Sequence, residues 1–135
     1  MIILLVILFV LFPSEDTIKI KNAWMRPSSE KMATALYFTI ENRSEDADTL
    51  FKVDSDLAER VEIHETYSQD DMMGMRKVDF IIIDGKSSFE LKPGGYHVML
   101  MKLKKDVING DKENFVLRFK QAGEINITAT AKKPE

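Results

Sequence analysis

No cysteine occurs anywhere in the 135 residues, and that single absence removes several function classes. A disulfide framework, a thiolate zinc site, an iron–sulfur cluster and a cysteine nucleophile are all excluded. So is a blue-copper electron-transfer centre, whose ligand set includes a cysteine sulfur. Charge of one sign is not concentrated either: 19 Lys and Arg against 22 Asp and Glu leave a net charge of −3, scattered along the chain. A nucleic-acid partner would require a basic patch or stripe, so none is expected. Long helical stripes, internal repeats and low-complexity stretches are also missing. With 44% hydrophobic and 30% charged residues, the chain has the composition of one globular domain able to bury a core.

One apolar run stands apart from the rest. Met1 to Phe12 carries no charged or polar side chain, and the run stops at Pro13-Ser14-Glu15-Asp16. It is too short for a bilayer, which takes about 20 residues in a helix, but it matches the apolar part of a secretion signal. Residues 1–13 are therefore expected to be a signal peptide or a retained anchor, 14–17 a linker, 18–131 the folded domain and 132–135 a polar tail. This places the protein outside the cytoplasm, in the periplasm or on the outer face of the membrane. The basic residue that usually precedes such a run is absent, and a buried N-terminal strand is the competing reading.

From Thr17 onward, short alternating runs are separated by turn residues, the pattern of half-buried antiparallel strands. Ile18 and Ile20 alternate with lysines and lead to Ala23-Trp24. Leu36, Phe38 and Ile40 alternate through a second run, and Leu50, Phe51 and Val53 mark a third. Val61 and Ile63 fall on one face of a fourth, with Glu62 and His64 on the other. Asp84-Gly85 between two apolar runs predicts a hairpin, and Pro93-Gly94-Gly95 introduces a strand from Tyr96 to Leu103. Phe115, Leu117 and Phe119 run up to Gln121-Ala122-Gly123, and Ile125, Ile127, Ala129 and Ala131 run away from it, which predicts a terminal hairpin. Eight or nine short strands without room for crossover helices predict an all-β sandwich or small barrel.

The chain holds two histidines and eight methionines, and both histidines and five of the methionines lie between residues 64 and 101. In Tyr96-His97-Val98-Met99-Leu100-Met101 the period of two sends Tyr96, Val98 and Leu100 to one face and His97, Met99 and Met101 to the other. Thioether sulfur is a soft donor that selects Cu(I), whereas calcium and magnesium require oxygen and structural zinc prefers thiolate with imidazole. Taken singly, a methionine fills core gaps and a strand histidine is an ordinary polar residue. Met25, Met32, Met72 and Met73 are left with that ordinary role. Trp24 is read as packing in or near the core. Glu62 and Glu65 are read as solvated carboxylates rather than as partners that orient His64.

Joint spacing separates four residues from the others: His64 and Met75 enclose ten residues, Met75 and His97 enclose twenty-one, and His97-Val98-Met99 closes the set. This H-x10-M-x21-H-x-M pattern resembles that of the periplasmic PCuAC copper chaperones. Further stretches share the resemblance: Asn22 to Pro27, Ala35 to Asn42, Val61 to Thr66 and Leu91 to Leu100. It covers nearly everything from Ile18 to Ala131. The resemblance implies a cupredoxin-like, Greek-key β-sandwich that binds one Cu(I) through His64, Met75, His97 and Met99. It also implies delivery to cytochrome c oxidase, at its CuA centre or through an assembly factor, with no catalytic step. A monomer is expected. Glu65 stands where many members have a methionine, and the chain ends in Lys-Lys-Pro-Glu instead of a tail rich in His and Met, so a single copper is expected. Copper storage or resistance, and a metal-free β-sandwich binding module, are the competing roles.

Overall fold

The computed structural model describes residues 17–134, so the apolar run and most of the expected linker lie outside the described residues. Ten strands follow one another: β1 (Ile18–Met25), β2 (Thr34–Asn42), β3 (Asp48–Asp54), β4 (Ala58–Gln69), β5 (Met72–Lys77), β6 (Ile81–Ile83), β7 (Ser87–Glu90), β8 (Tyr96–Leu103), β9 (Lys112–Phe119) and β10 (Gly123–Ala131). They hydrogen-bond in the order β5-β4-β8-β2-β1-β10-β9-β3-β6, with β7 paired to the far half of β2. All pairings are antiparallel except a two-residue parallel contact between β1 and β10, at Trp24–Thr130 and Met25–Ala131.

A ladder of this length has two faces to cover, and it covers one by folding over on itself. Leu36, Phe38 and Ile40 of β2 and Val98 and Leu100 of β8 share one apolar cluster with Leu50 of β3, Ile81 and Ile83 of β6, and Phe115 and Leu117 of β9. Strand β3 packs against β4, and β6 against β7, although neither pair is hydrogen-bonded. These are the two layers of the predicted sandwich. Two positions let the ladder bend. In β1 the register slips between Lys21 and Trp24, where Asn22 takes a left-handed φ of 56°, a conformation that asparagine tolerates better than most residues. In β2 the pairing partner changes from β8 at Thr34 to Leu36 to β7 at Thr39 to Asn42.

Asp84-Gly85 does not make a hairpin. Ile81 to Ile83 pairs with β3 and Ser87 to Glu90 pairs with β2, so the chain crosses from one layer to the other at this turn. Glycine is needed for a different reason: a Cβ on Gly85 would lie 2.1 Å from the Glu45 carbonyl oxygen. The crossing is tied down by Asn42, 1% exposed, whose amide donates to the carbonyls of Asp46, Ile83 and Asp84. The tenth strand, absent from the expected set, is β5.

Candidate metal centre

Strand pairing alone assembles the candidate residues. His64 of β4 stands directly opposite His97 of β8, Glu62 opposite Met99, and Thr66 opposite Met75 of β5. Direct antiparallel partners point to the same side of a sheet. Val98, Leu100 and Ile63 fill the core, so this side is the outer face of the layer. The hairpin β4–β5 turns at Asp70-Asp71, both left-handed at φ 52° and 62°, the backbone that a two-residue hairpin turn demands.

His97 is on the outer face yet only 2% exposed. The ring of Tyr37 lies 6.4 Å from it between centroids, Tyr37 packs on Trp24 at 4.7 Å, and the Arg26 guanidinium sits 5.9 Å from the Tyr37 ring. The His64 and His97 rings are 5.8 Å apart. Beside them opens a cleft of about 380 Å³ whose lining includes Arg26, Tyr37, Met73, Met75, His97 and Met99. Met75 is 57% exposed and Met99 is partly buried.

Hydrogen bonds fix which nitrogen of each ring carries its proton. A carboxylate accepts only, so His64 Nε2 donates to Glu62 Oε2 at 2.9 Å. A carbonyl also accepts only, so His97 Nδ1 donates to the Gly95 oxygen at 3.3 Å. What remains in the neutral rings is a lone pair on His64 Nδ1 and one on His97 Nε2. Both atoms are buried without a hydrogen-bond partner among the described residues. Buried polar atoms left unpaired are rare and ask for an explanation. Two on neighbouring rings, beside two thioethers, form a neutral donor set of the kind a soft metal ion takes.

Burial holds His97 below its ordinary pKa of 6.5 against the opposing pull of the Gly95 carbonyl, and the nearby His64 adds to the lowering. Glu62 is held below the usual 4.5 chiefly by its hydrogen bond to His64, with Arg60 and Lys77 adding their charges. Glu62 also pairs with Arg60 at 3.1 Å. It therefore orients the imidazole and is not the solvated carboxylate expected from the sequence. The spacing Glu62-x-His64 puts both on one strand face, and that was the available signal. Glu65 pairs instead with Arg76 at 3.2 Å. Among the described residues no group of three or more His, Cys, Asp or Glu converges.

The remaining methionines divide. Met25 is fully buried, as expected. Met32 is 60% exposed, and Met72 and Met73 are each 73% exposed, so none of these three fills the core. Met73 shares the cleft with Met75. Tyr37 and Arg26, which wall the cleft, were not singled out by the sequence pattern. Tyr37 sits between the core-facing Leu36 and Phe38, on the outward side of β2 that also carries Ala35.

A sandwich whose outer layer gathers two imidazoles and two thioethers beside a shallow cleft defines a PCuAC-type domain. Residues 18–131 match the family model described as "Putative lipoprotein LpqE-like", and the chain belongs to that LpqE-like family. The uncharacterized protein RP573 of Rickettsia prowazekii is 32% identical over 107 residues, which cover 76% of this chain and 59% of that protein. The chain thus spans about three fifths of that relative's length. Among solved structures, the copper-bound PCuAC domain from PmoF2 aligns with a TM-score of 0.73 at 28% identity, covering 87% of this chain and 94% of that one. The solution structure of apo-DR1885 from Deinococcus radiodurans aligns at 0.68 with 27% identity, covering 90% and 83%. Its Cu(I) form aligns at 0.64 with 27% identity, covering 84% and 78%.

Proposed function

We propose that this protein is a copper carrier acting outside the cytoplasm, binding one Cu(I) per chain through His64 Nδ1, His97 Nε2, Met75 and Met99. In this reading it works as a monomer and passes the ion to a copper centre of cytochrome c oxidase, the CuA site or an assembly factor serving it. The observation that carries the reading is the pair of buried, partnerless imidazole nitrogens on rings 5.8 Å apart beside the two thioethers. The copper-bound and Cu(I)-bound neighbours support the choice of metal. The lipoprotein description of the family supports the compartment.

The chemistry supports carriage over turnover. Neutral thioethers and imidazoles leave the ion's charge uncompensated, which favours the monovalent state. The imidazole ligands are held deep and pre-oriented, while Met75 stays open to solvent. An incoming donor can therefore displace one ligand at a time without unfolding the sandwich.

The test is a competition titration with Cu(I) against a chromophoric chelator, beside a His97→Ala, Met99→Leu double variant. One equivalent bound by the native chain and lost in the double variant is the expected result. No competitive binding by the native chain would leave a metal-free binding module. Loading without transfer to an oxidase fragment would leave storage or resistance as the role.

A further inference from the structure

We propose that Met73 is the capture ligand of the site, the thioether that first takes Cu(I) from a donor and passes it inward to Met75 and the two histidines. This rests on the copper reading above and extends it to how the ion enters and leaves. The imidazole donors cannot make first contact: His97 is 2% exposed, and the His64 side chain is 15% exposed and tied to Glu62. An ion arriving on a carrier must meet an exposed soft donor before it reaches them.

Strand β5 supplies three exposed thioethers, and its pleat sorts them. Met73 and Met75 lie two residues apart, so both face the cleft they line with His97 and Met99. Met72 points to the opposite side. It lines a second hollow with Tyr67 and Gly74, which Met73 also borders, whereas Met72 has no part in the cleft beside His97. Along the strand Met73 and Met75 are separated by roughly 7 Å, a gap that two long, unbranched side chains can close around one ion. Met73 is also the more exposed, at 73% against 57%. From the turn inward the cleft face thus offers sulfur of falling exposure, ending at the buried nitrogens.

The arm that carries Met73 is held in place. Strand β4 pairs with β8 only as far as Glu65, so from Tyr67 to the turn the hairpin extends beyond β8. Tyr67 lies across Gly74, the Arg76 guanidinium sits 5.1 Å from the Tyr67 ring, and Arg76 pairs with Glu65. These contacts occupy the face opposite Met73 and keep its thioether on the cleft side.

Met72→Leu is the internal control, since it removes an equally exposed thioether from the same arm but from the wrong face. Full-length native protein, Met72→Leu, Met73→Leu and Met75→Leu would be mixed in a stopped-flow instrument with the Cu(I) complex of bicinchoninate, and the loss of the chelator's colour followed. Leu for Met conserves volume, and circular dichroism of each variant verifies the fold. Met73→Leu should slow capture at least about threefold while leaving equilibrium affinity within about twofold, because a soft ligand is lost only on the route. Met75→Leu should weaken the equilibrium affinity itself, and Met72→Leu should change neither. Equal rates for native and Met73→Leu would overturn the proposal. So would equal slowing by Met72→Leu, which would assign the effect to an apolar tip and not to a thioether. Failure of the native chain to take Cu(I) at all would overturn the copper reading and this proposal together, and is distinguished by the native trace alone.

Discussion

Two hairpins of this molecule are built from the same elements and serve opposite ends. Strands β9 and β10 pair over eight positions, from Gly123–Phe119 to Thr130–Lys112, and bury Phe115, Leu117, Phe119, Ala129 and Ala131. Their turn is anchored from below by Asp48, 3% exposed, which accepts from the backbone N–H of Gln121 at 2.8 Å and Ala122 at 2.9 Å. Strands β4 and β5 pair over six positions, and nothing in β5 reaches the core. What β5 presents instead is Met73 and Met75 on a cleft. A sheet edge freed from packing can hold side chains whose value lies in being reachable. On the proposed copper reading, stability and metal handling fall to different hairpins, so substitutions should separate them.

The largest separation should come from Phe115 and Met75. Phe115→Ala should remove about 3–5 kcal/mol of stability through lost burial and a residual cavity. Met75→Leu should cost less than about 1.5 kcal/mol and weaken Cu(I) binding at least about tenfold. Denaturant midpoints read beside competition titrations check both, and a midpoint for Met75→Leu as low as that of Phe115→Ala would erase the contrast.

The two turns should differ next. Asp48→Asn places an amide N–H₂ against backbone donors that now share two carboxyl oxygens, and should cost about 2 kcal/mol. Asp70→Asn changes a left-handed position that asparagine accepts equally well, and should stay within about 0.5 kcal/mol. Comparable losses at both turns would mean that the β4–β5 hairpin carries load the packing does not reveal.

The same division explains what the sequence could and could not disclose. Strands with one face in the core announce themselves by alternation, and β1, β2, β8, β9 and β10 are all legible for that reason. Strand β5 has no buried face, and its turn is Asp-Asp in place of Asn-Gly or Asp-Gly, so neither pattern nor turn chemistry marks it. The Asp-Gly at 84–85 carries the stronger hairpin signal and makes none, because its flanking strands find partners in different layers. The four proposed ligands were legible through spacing and resemblance. The sequence leaves Glu62 and Met73 in ordinary roles and does not single out Tyr37. Tyr37 and Met73 reach the cleft only when neighbouring strands are placed beside them, whereas the Glu62-x-His64 spacing on one strand face was there to be read.

Acid should act on the layer around β8 and on the layer around β9 in different ranges. Folded His97 has a lowered pKa, so it favours the folded state above the ordinary histidine value of 6.5. That contribution is lost as the pH falls from there through the lowered folded value. Beside β9, the hydrogen bond from Arg118 holds Asp54 below its ordinary 3.8, and its contribution is lost only as the pH falls through that still lower range. Between about pH 7.5 and pH 5, spanning the histidine range, amide exchange in β8 should accelerate beyond its intrinsic pH dependence while β9 holds. Uniform loss of protection in both strands would show that His97 does not set the order.

A small change in stability, and the sharpest division of roles, should come from Gly74→Ala. A Cβ there would lie 2.7 Å from the Tyr67 hydroxyl oxygen and 2.8 Å from its Cζ, closer than side-chain contacts allow. Something must shift, and the ring borders the Arg76 guanidinium and the exposed hollow it shares with Met72. Because the core is not involved, the gain from a stiffer unfolded chain offsets much of the clash, and net stability should move by less than about 1 kcal/mol. The displaced Tyr67 no longer braces the face opposite the cleft, so the cleft-facing thioethers lose their fixed direction. Cu(I) capture should slow in Gly74→Ala while the unfolding midpoint stays near that of the native chain, and the Tyr67 ring resonances should shift. A lowered midpoint with unchanged capture would place Gly74 among the residues that serve the fold, and β5 would no longer be the hairpin set apart for the metal.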